Sequence, residues 1–344
     1  MTHRVPQKAP GAATSRTVEE ERRGPTFLFT HPASSAHDTG GDHAETERRV
    51  EVLLEAVHAD PELAKVLREM PGVPATEEDL LRVHSREHLS RVRGAAEQAT
   101  STQSLVWLDS DTPVSRGSFE AARAAAGLAI TAAQAVLDEP GATAFALTRP
   151  PGHHASQDRA MGFCLFNNVA VAARSLQARG EAERVLVLDL DAHHGNGTQD
   201  IFYEDPTVYL LSLHLGRDWP GTGTAAERGA GRGEGTTRNI PLKRGTPAAE
   251  YRRRFLQALD SALASFRPDF VAVSMGFDTL AGDPLGGFLL EPADLHVLIS
   301  DLLERLVEAT KGRALAVLEG GYALHRIGAG LANVLRAFAR LPPQ

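Results

Sequence analysis

Short apolar runs that alternate with helical segments constrain the fold of this chain more than any other feature of its sequence. Residues 185–188 are four branched aliphatic residues in succession, which is typical of a strand buried on both faces. Comparable runs are Thr26–Thr30, Thr143–Leu147, Thr207–Leu213, Phe270–Ser274 and Ala314–Leu318. Strands that alternate with helices form mainly parallel sheets with helices on both faces. The sequence therefore predicts an α/β fold with a mainly parallel central sheet.

Helices are predicted wherever apolar residues recur at helical spacing or a capping signal marks a start. The predicted helices are Glu45–Ala59, Pro61–Met70, one beginning at Thr76, Ser118–Leu137, Val169–Arg179, Gln199–Tyr203, Tyr251–Phe266, Pro292–Lys311 and Gly328–Leu341. Residues 102–111 and 217–238 are predicted loops. The second loop is too long for a plain connection, which indicates a rim over a site.

The composition limits the classes of protein that the chain can belong to. A formal charge of −8 argues against a general nucleic-acid or membrane-surface binder, and no apolar run is long enough to span a bilayer. The single cysteine, Cys164, excludes an intramolecular disulfide and a thiolate zinc cluster. We expect a cytoplasmic protein with a flexible tail over residues 1–24 and one domain over residues 25–344. Homo-oligomerisation stays open, and nothing identifies a protein partner.

Polar residues follow four of the predicted strands at the point where each strand ends. They are His153 and His154, then Asp189, Asp191 and His193, then Asp278, and finally Glu319 and Tyr322. In an open α/β sheet, ligands bind beyond the carboxyl ends of the strands. A polar loop whose carboxylates cap the next helix is the simpler alternative for any one of these ends. Four such ends favour a shared site.

The strand end at residues 189–193 indicates a bound cation. Alternate side chains of an extended chain share a face, so Asp189, Asp191 and His193 project the same way. Two carboxylates and an imidazole at the end of a buried strand are costly without a partner of opposite charge. Asp191, His193 and Asp278 leave an open coordination position, as in a catalytic metal site. Zinc is the favoured metal, and Fe(II), Co or Mn also suit two carboxylates.

Five motifs stand out along the chain: Arg149–Ala155, Gly162–Asn168, Asp189–Gln199, Gly276–Gly287 and Glu319–Tyr322. Together they resemble the zinc-dependent histone deacetylase family, which includes bacterial acetylpolyamine amidohydrolases and shares the arginase–deacetylase fold. The resemblance runs from about residue 26 to residue 339, and His43, Glu45 and Arg49 match the family pattern in part. It implies a single-domain arginase–deacetylase fold.

The resemblance also implies the chemistry of each strand end. The zinc ligands implied are Asp191, His193 and Asp278. His154 is the implied general base and later acid, oriented by Asn196, whose amide resembles the class II branch. His153 is an electrostatic partner held by Asp189, and Tyr322 donates its hydroxyl to the oxyanion. A structural potassium ion is implied at Asp189, Asp191, His193, Ser212 and Leu213.

The walls of the implied tunnel bear on the substrate. Gly162, Phe163 and Trp219 match positions that line a narrow tunnel suited to the stem of an acyl-lysine, although a tryptophan replaces the more usual phenylalanine. Leu285 matches a gatekeeper position where polyamine-selective relatives place an acidic residue. Asp111 resembles a rim residue that holds the substrate backbone.

The leading hypothesis from the sequence is metal-dependent removal of acetyl or other short acyl groups from acylated lysine in a protein or peptide. The same hydrolysis of an acetylated polyamine or another small amide is the alternative. A non-catalytic acyl-lysine binding protein is a third reading. A dinuclear arginase-like enzyme is disfavoured, because the second cluster of carboxylates is missing.

Overall fold

An eight-stranded sheet runs through the computed structural model, which describes residues 24–344. The strands of the protein are β1 (Thr26–Thr30), β2 (Leu67–Pro71), β3 (Val106–Asp109), β4 (Thr112–Val114), β5 (Thr143–Ala146), β6 (Val185–Asp189), β7 (Val208–Leu215), β8 (Thr237–Leu242), β9 (Phe270–Met275) and β10 (Ala314–Leu318). The sheet order is β2-β1-β5-β10-β9-β6-β7-β8, and every neighbouring pair is parallel. Residues 1–23 of the predicted tail lie outside the described residues.

Helices cover both faces of this sheet. Within residues 24–344 they are α1 (Arg48–His58), α2 (Leu63–Val66), α3 (Glu77–Leu81), α4 (Arg86–Thr102), α5 (Ser118–Asp138), α6 (Asn168–Ala178), α7 (Asn196–Phe202), α8 (Ala248–Phe266), α9 (Pro292–Thr310) and α10 (Leu324–Phe338). The predicted capping signal at Thr76 is present, because its hydroxyl accepts from the Asp79 amide at the start of α3.

The alternation of side chains along the strands builds two apolar cores, one on each face. On β6, Leu186 and Leu188 pack into a core shared with α1, α8, α9 and α10. Val185 and Val187 point the other way, into a core shared with α4, α5 and α6. All four side chains are fully buried. The prediction of an α/β fold with a mainly parallel sheet covered on both faces is confirmed.

Two predicted elements are wrong, because long-range pairing overrides local preference. The predicted helix Pro61–Met70 is helical only over α2, and its second half becomes β2, which pairs with the open edge of β1. The predicted loop at residues 102–111 contains β3, which forms an antiparallel hairpin with β4. Helix α4 was not predicted, since alanines make up much of its buried stripe and weaken the periodic signal.

The order of the strands determines where a site can form. Strands β5, β10, β9 and β6 are consecutive neighbours in the middle of the sheet. Because they are parallel, their carboxyl ends lie at one edge, and the chain leaves that edge in four separate loops. The loop over residues 217–236 crosses the same edge and leads into β8, which begins at Thr237 within the predicted loop.

Candidate active site

Three side chains from two of these loops converge on one point. Asp191 and His193 follow β6 and Asp278 follows β9, and one ligand atom from each lies within 4.8 Å of the others. The His193 Nδ1 atom is 3.1 Å from Asp191 Oδ1 and 3.0 Å from Asp278 Oδ2. Burial raises the pKa of Asp278, and the neighbouring Asp191 carboxylate acts in the same direction. Two buried carboxylates at this separation favour a bound cation.

The backbone around the three side chains leaves them the space that a cation needs. A Cβ atom on Gly320 would lie 2.5 Å from Asp278 Oδ2 and 2.7 Å from Asp191 Oδ2, so only glycine fits there. The Gly320 amide donates to Asp191 Oδ2 over 2.8 Å, and the Ala192 amide donates to Asp278 Oδ1 over 2.9 Å. These bonds hold one oxygen of each carboxylate, and the other oxygen of each lies next to His193. The donor set suits a divalent metal with imidazole and carboxylate ligands.

Two adjacent histidines beside the three side chains have different partners. The Nδ1 atom of His153 is 3.0 Å from the carboxylate of Asp189, whereas the Nδ1 atom of His154 is 2.9 Å from the amide oxygen of Asn196. Burial opposes a charge on His153, but Asp189 and Asp191 raise its pKa to about 10. Burial and the charge of His153 lower the pKa of His154. The carboxylate of Asp189 therefore favours the charged form of His153, whereas the surroundings of His154 favour its neutral form.

The sequence reasoning placed Glu319 at a strand end and in one of the five motifs, but it gave this residue no role. It is fully buried at the end of β10. Its Oε2 atom accepts from the amides of Gly152 at 2.7 Å and His153 at 3.1 Å, and its Oε1 atom accepts from the Ser274 hydroxyl at 2.9 Å. Glu319 thus fixes the loop that carries the two histidines. A charged residue at the end of an apolar strand was the available signal.

A narrow cavity leads from the surface to these groups. Its volume is about 230 Å³, and its lining contains the five predicted substrate-binding residues together with His154, His193, Asp218 and Tyr322. The five are Asp111, Gly162, Phe163, Trp219 and Leu285. The Trp219 ring stands edge-on to the His154 ring, with 4.6 Å between centroids, and Phe163 stands edge-on to Tyr322 at 5.7 Å. A Cβ atom on Gly162 would lie 2.4 Å from the Trp219 ring, so glycine is required there.

Two aspartates connect the walls of the cavity. Asp111 Oδ1 accepts from the Gly162 amide at 3.2 Å. Asp283, which the sequence reasoning did not single out, accepts from the Tyr322 amide at 2.7 Å through Oδ2 and from the Leu285 amide at 2.9 Å through Oδ1. Asp283 thus joins the turn that carries Tyr322 to the loop that carries Leu285. Its place in a predicted motif was the only signal.

The residues of the predicted potassium set lie at neighbouring strand ends. Asp189 on β6 is in register with Ser212 on β7, and Leu213 follows Ser212 along the strand. The Ser212 hydroxyl also lies 2.8 Å from Nδ1 of His214. Asp191 and His193 come directly after β6. The structure thus brings the five residues to one region, and their role stays a prediction.

Comparisons with known proteins agree with this architecture. The family model for the histone deacetylase domain matches residues 43–338. A histone deacetylase-like amidohydrolase of Pseudomonas aeruginosa is 40% identical over 292 residues, which are 85% of this chain and 74% of that protein. Histone deacetylase 10, chloroplastic, of Oryza sativa subsp. japonica is 37% identical over 312 residues, 87% and 70% of the two chains.

A crystal structure of the HDA15 HD domain superposes on the chain with a TM-score of 0.85 and 34% identity, covering 93% of this chain and 91% of that one. The parallel sheet, the polar cluster at its carboxyl edge and these matches together indicate a hydrolase of the arginase–deacetylase fold. The chain belongs to the histone deacetylase family. Across residues 24–344, none of the helices has the length and apolar character needed to cross a membrane.

His84 joins the chain segments at Ser156 and Asn167, and its burial makes the stability of the folded protein depend on pH. It is buried, its Nδ1–H donates to the Ser156 carbonyl at 2.9 Å, and its Nε2 accepts from the Asn167 amide at 2.9 Å. Both nitrogens are used in the neutral form, and burial lowers the pKa of His84 from 6.5 to about 3. The unfolded chain therefore takes up this proton first, and stability falls as the pH falls from 6.5 towards 3.

The wild-type protein loses stability between pH 7 and pH 5. We expect this loss to be about 2 kcal/mol smaller in His84→Asn, which lacks the titrating imidazole. Urea unfolding at both pH values measures this difference, whatever the variant costs at pH 7. His58→Asn, at an exposed position of α1, is the control and should keep the wild-type pH dependence. An unchanged pH dependence in His84→Asn would contradict the assignment.

Proposed function

We propose that the protein hydrolyses the acyl amide of acetyl-lysine, or of lysine with another short acyl group, in a protein or peptide. The observation that carries the proposal is the convergence of Asp191, His193 and Asp278 at the base of a narrow cavity. Phe163 and Trp219 form apolar walls that suit the methylene stem of a lysine side chain. The carbonyl of such a substrate reaches the polar groups while its peptide stays at the rim.

Asp191, His193 and Asp278 are the residues that would hold a divalent metal, with zinc the first choice and Fe(II), Co or Mn the alternatives. When bound, such an ion supplies Lewis acidity, which polarises the amide carbonyl and lowers the pKa of the attacking water.

We also propose a structural potassium ion at the neighbouring set, Asp189, Asp191, His193, Ser212 and Leu213. The match over residues 43–338 supports one catalytic domain over residues 25–344.

His154 is suited to move the proton. The Asn196 oxygen can only accept, so it places the proton of His154 on Nδ1 and leaves Nε2 free to take a proton from water. The same atom then returns the proton to the departing amine, which makes His154 general base and later general acid. Such transfer commonly contributes about 10²–10⁴-fold. Charged His153, paired with Asp189, stabilises negative charge that develops next to it.

Tyr322 is suited to stabilise the oxyanion. Its side chain lines the cavity, and its backbone is fixed by the bond from its amide to Asp283. A phenol that keeps its proton at neutral pH can donate to the oxygen on which negative charge develops. Cys164 is fully buried and has no role in this scheme, because burial raises the pKa of its thiol well above the ordinary value.

The substrate class can be tested by comparing an acetyl-lysine peptide with an N-acetylated polyamine. The protein is stripped of metal, reconstituted with zinc, and assayed on both substrates and on longer acyl-lysine peptides. We expect higher kcat/KM for the peptide, because Leu285 offers no acidic group to a cationic polyamine. Preference for the polyamine would replace the proposed substrate, and binding without turnover in metal-loaded protein would favour a binding role.

Asp278→Asn tests the metal-binding residues in the same assay. We expect it to lose zinc, measured as metal content after dialysis, and to lose turnover of the peptide. Asp260→Asn, at an exposed carboxylate of α8 that pairs with Arg305, is the matched control and should retain both. Full zinc content and full turnover in Asp278→Asn would exclude this residue as a ligand.

A further inference from the structure

Two loops that contribute lining residues form two lips of the cavity. The Trp219 lip is defined as residues 217–223, and the Leu285 lip is defined as residues 283–287. Asp218, Trp219 and Leu285 all line the cavity, and the Trp219 and Leu285 side chains remain 40% and 37% exposed. Both side chains therefore border the opening through which an acyl group reaches the groups at the base. The distance between the lips therefore limits what can enter.

Arg244 bridges the two lips from the turn between β8 and α8. Its Nη2 atom is 2.5 Å from Asp218 Oδ2 on the Trp219 lip. Its Nη1 atom donates to the Gly286 carbonyl on the Leu285 lip, also over 2.5 Å. Asp218 uses its other oxygen, Oδ1, to accept from the Trp219 amide at 2.9 Å. One guanidinium thus contacts both lips, at residues adjacent to Trp219 and Leu285.

The Leu285 lip is shaped to receive this guanidinium. A Cβ atom on Gly287 would lie 2.6 Å from Arg244 Nη1, so the arginine rests where any other residue would place a side chain. The Gly245 amide donates to the Gly287 carbonyl over 2.6 Å, which ties the Arg244 turn to the same lip. Asp283 braces this lip from within through the Leu285 and Gly286 amides. The Leu285 lip is therefore the fixed side.

We propose that Arg244 is a specificity-determining positioning residue, which sets the gap between Trp219 and Leu285 and so limits the size of the acyl group admitted. The inference rests on the proposed function and assigns a determinant of its acyl selectivity. A guanidinium holds two acceptors in fixed directions, whereas a lysine ammonium is a point charge. The pair with Asp218 is partly exposed and contributes little to stability. The loss of Arg244 should therefore change selectivity and leave folding intact.

The test compares kcat/KM for butyryl-lysine and acetyl-lysine peptides in zinc-loaded protein. Pocket contacts that differ by one or two methylenes change selectivity about tenfold or more, so Arg244→Ala should raise the butyryl-to-acetyl ratio by about tenfold. The butyryl-to-acetyl ratio of Arg244→Lys should lie between those of the wild type and Arg244→Ala. Arg252→Ala removes another partly exposed arginine, which lies on α8 and pairs with Asp301 on α9, and it should leave the ratio unchanged. An unchanged ratio in Arg244→Ala would overturn the proposal.

A second measurement reports the solvent exposure of Trp219 on the Trp219 lip and does not depend on catalysis. The chain has two tryptophans, and Trp107→Phe leaves Trp219 as the only one. In that background, Arg244→Ala should raise the acrylamide quenching of Trp219 fluorescence while the unfolding midpoint stays the same. Increased quenching without turnover of any lysine peptide would retain the bridge and reject the proposed substrate. Unchanged quenching would reject the bridge.

Discussion

Tyr322→Phe should lower kcat on the acetyl-lysine peptide by about 10²–10³-fold, the usual loss when one oxyanion donor is removed. KM and the free energy of unfolding should change little, because the ring contacts persist without the hydroxyl. The ring stands edge-on to Phe163 at 5.7 Å, and the Arg49 guanidinium lies 5.0 Å from its centroid. Steady-state kinetics and urea unfolding of the same preparations measure both quantities.

Tyr209→Phe is the matched control for this variant. Tyr209 lies on β7, where its ring packs against Phe266 at 5.4 Å and does not line the cavity. Tyr209→Phe also removes one hydroxyl, and it should leave kcat unchanged. A Tyr322→Phe enzyme that retains most of its turnover would exclude the hydroxyl as the oxyanion donor. A loss confined to KM would instead assign the hydroxyl to substrate binding.

The strands and the base of the site could be predicted because their signals are local. The run at residues 185–188 is typical of a buried strand, and the polar residues that follow it lie where parallel strands end. The apolar runs of β5, β9 and β10 carry the same information. The convergence of Asp191, His193 and Asp278 then follows from the neighbouring positions of β6 and β9.

The remaining features could not be predicted because they depend on partners distant in the sequence. Residues 67–71 become a strand only because β1 offers an open edge. Arg244 is 42 residues from Gly286, and no periodic pattern signals that contact. Glu45 and Arg149 are 104 residues apart, yet they meet in the interior. Local periodicity reports which face is apolar, but it does not report which charged groups will neutralise each other.

Glu45 forms the centre of a buried charge network behind the site. Its Oε1 atom accepts from Arg49 Nη1 at 3.1 Å and from Arg149 Nε at 2.8 Å, and all three side chains are fully buried. Burial opposes a charge on Glu45, but Arg149 and Arg49 outweigh it, and its pKa is lowered. Arg49 in turn donates to the Gly321 carbonyl at 2.7 Å, next to Tyr322.

Glu45→Gln should therefore lower the free energy of unfolding by about 3–5 kcal/mol, because it leaves two buried guanidinium groups without a counter-charge. Urea unfolding at pH 7 measures the loss. Glu51→Gln, on α1 in an exposed pair with Arg48, should cost no more than about 1 kcal/mol. The contrast isolates burial as the cause, since each variant removes one carboxylate charge that pairs with arginine. Equal losses in the two variants would mean that the network gains nothing from being buried. The interior carboxylate would then be dispensable to the loops that carry Tyr322 and the histidines.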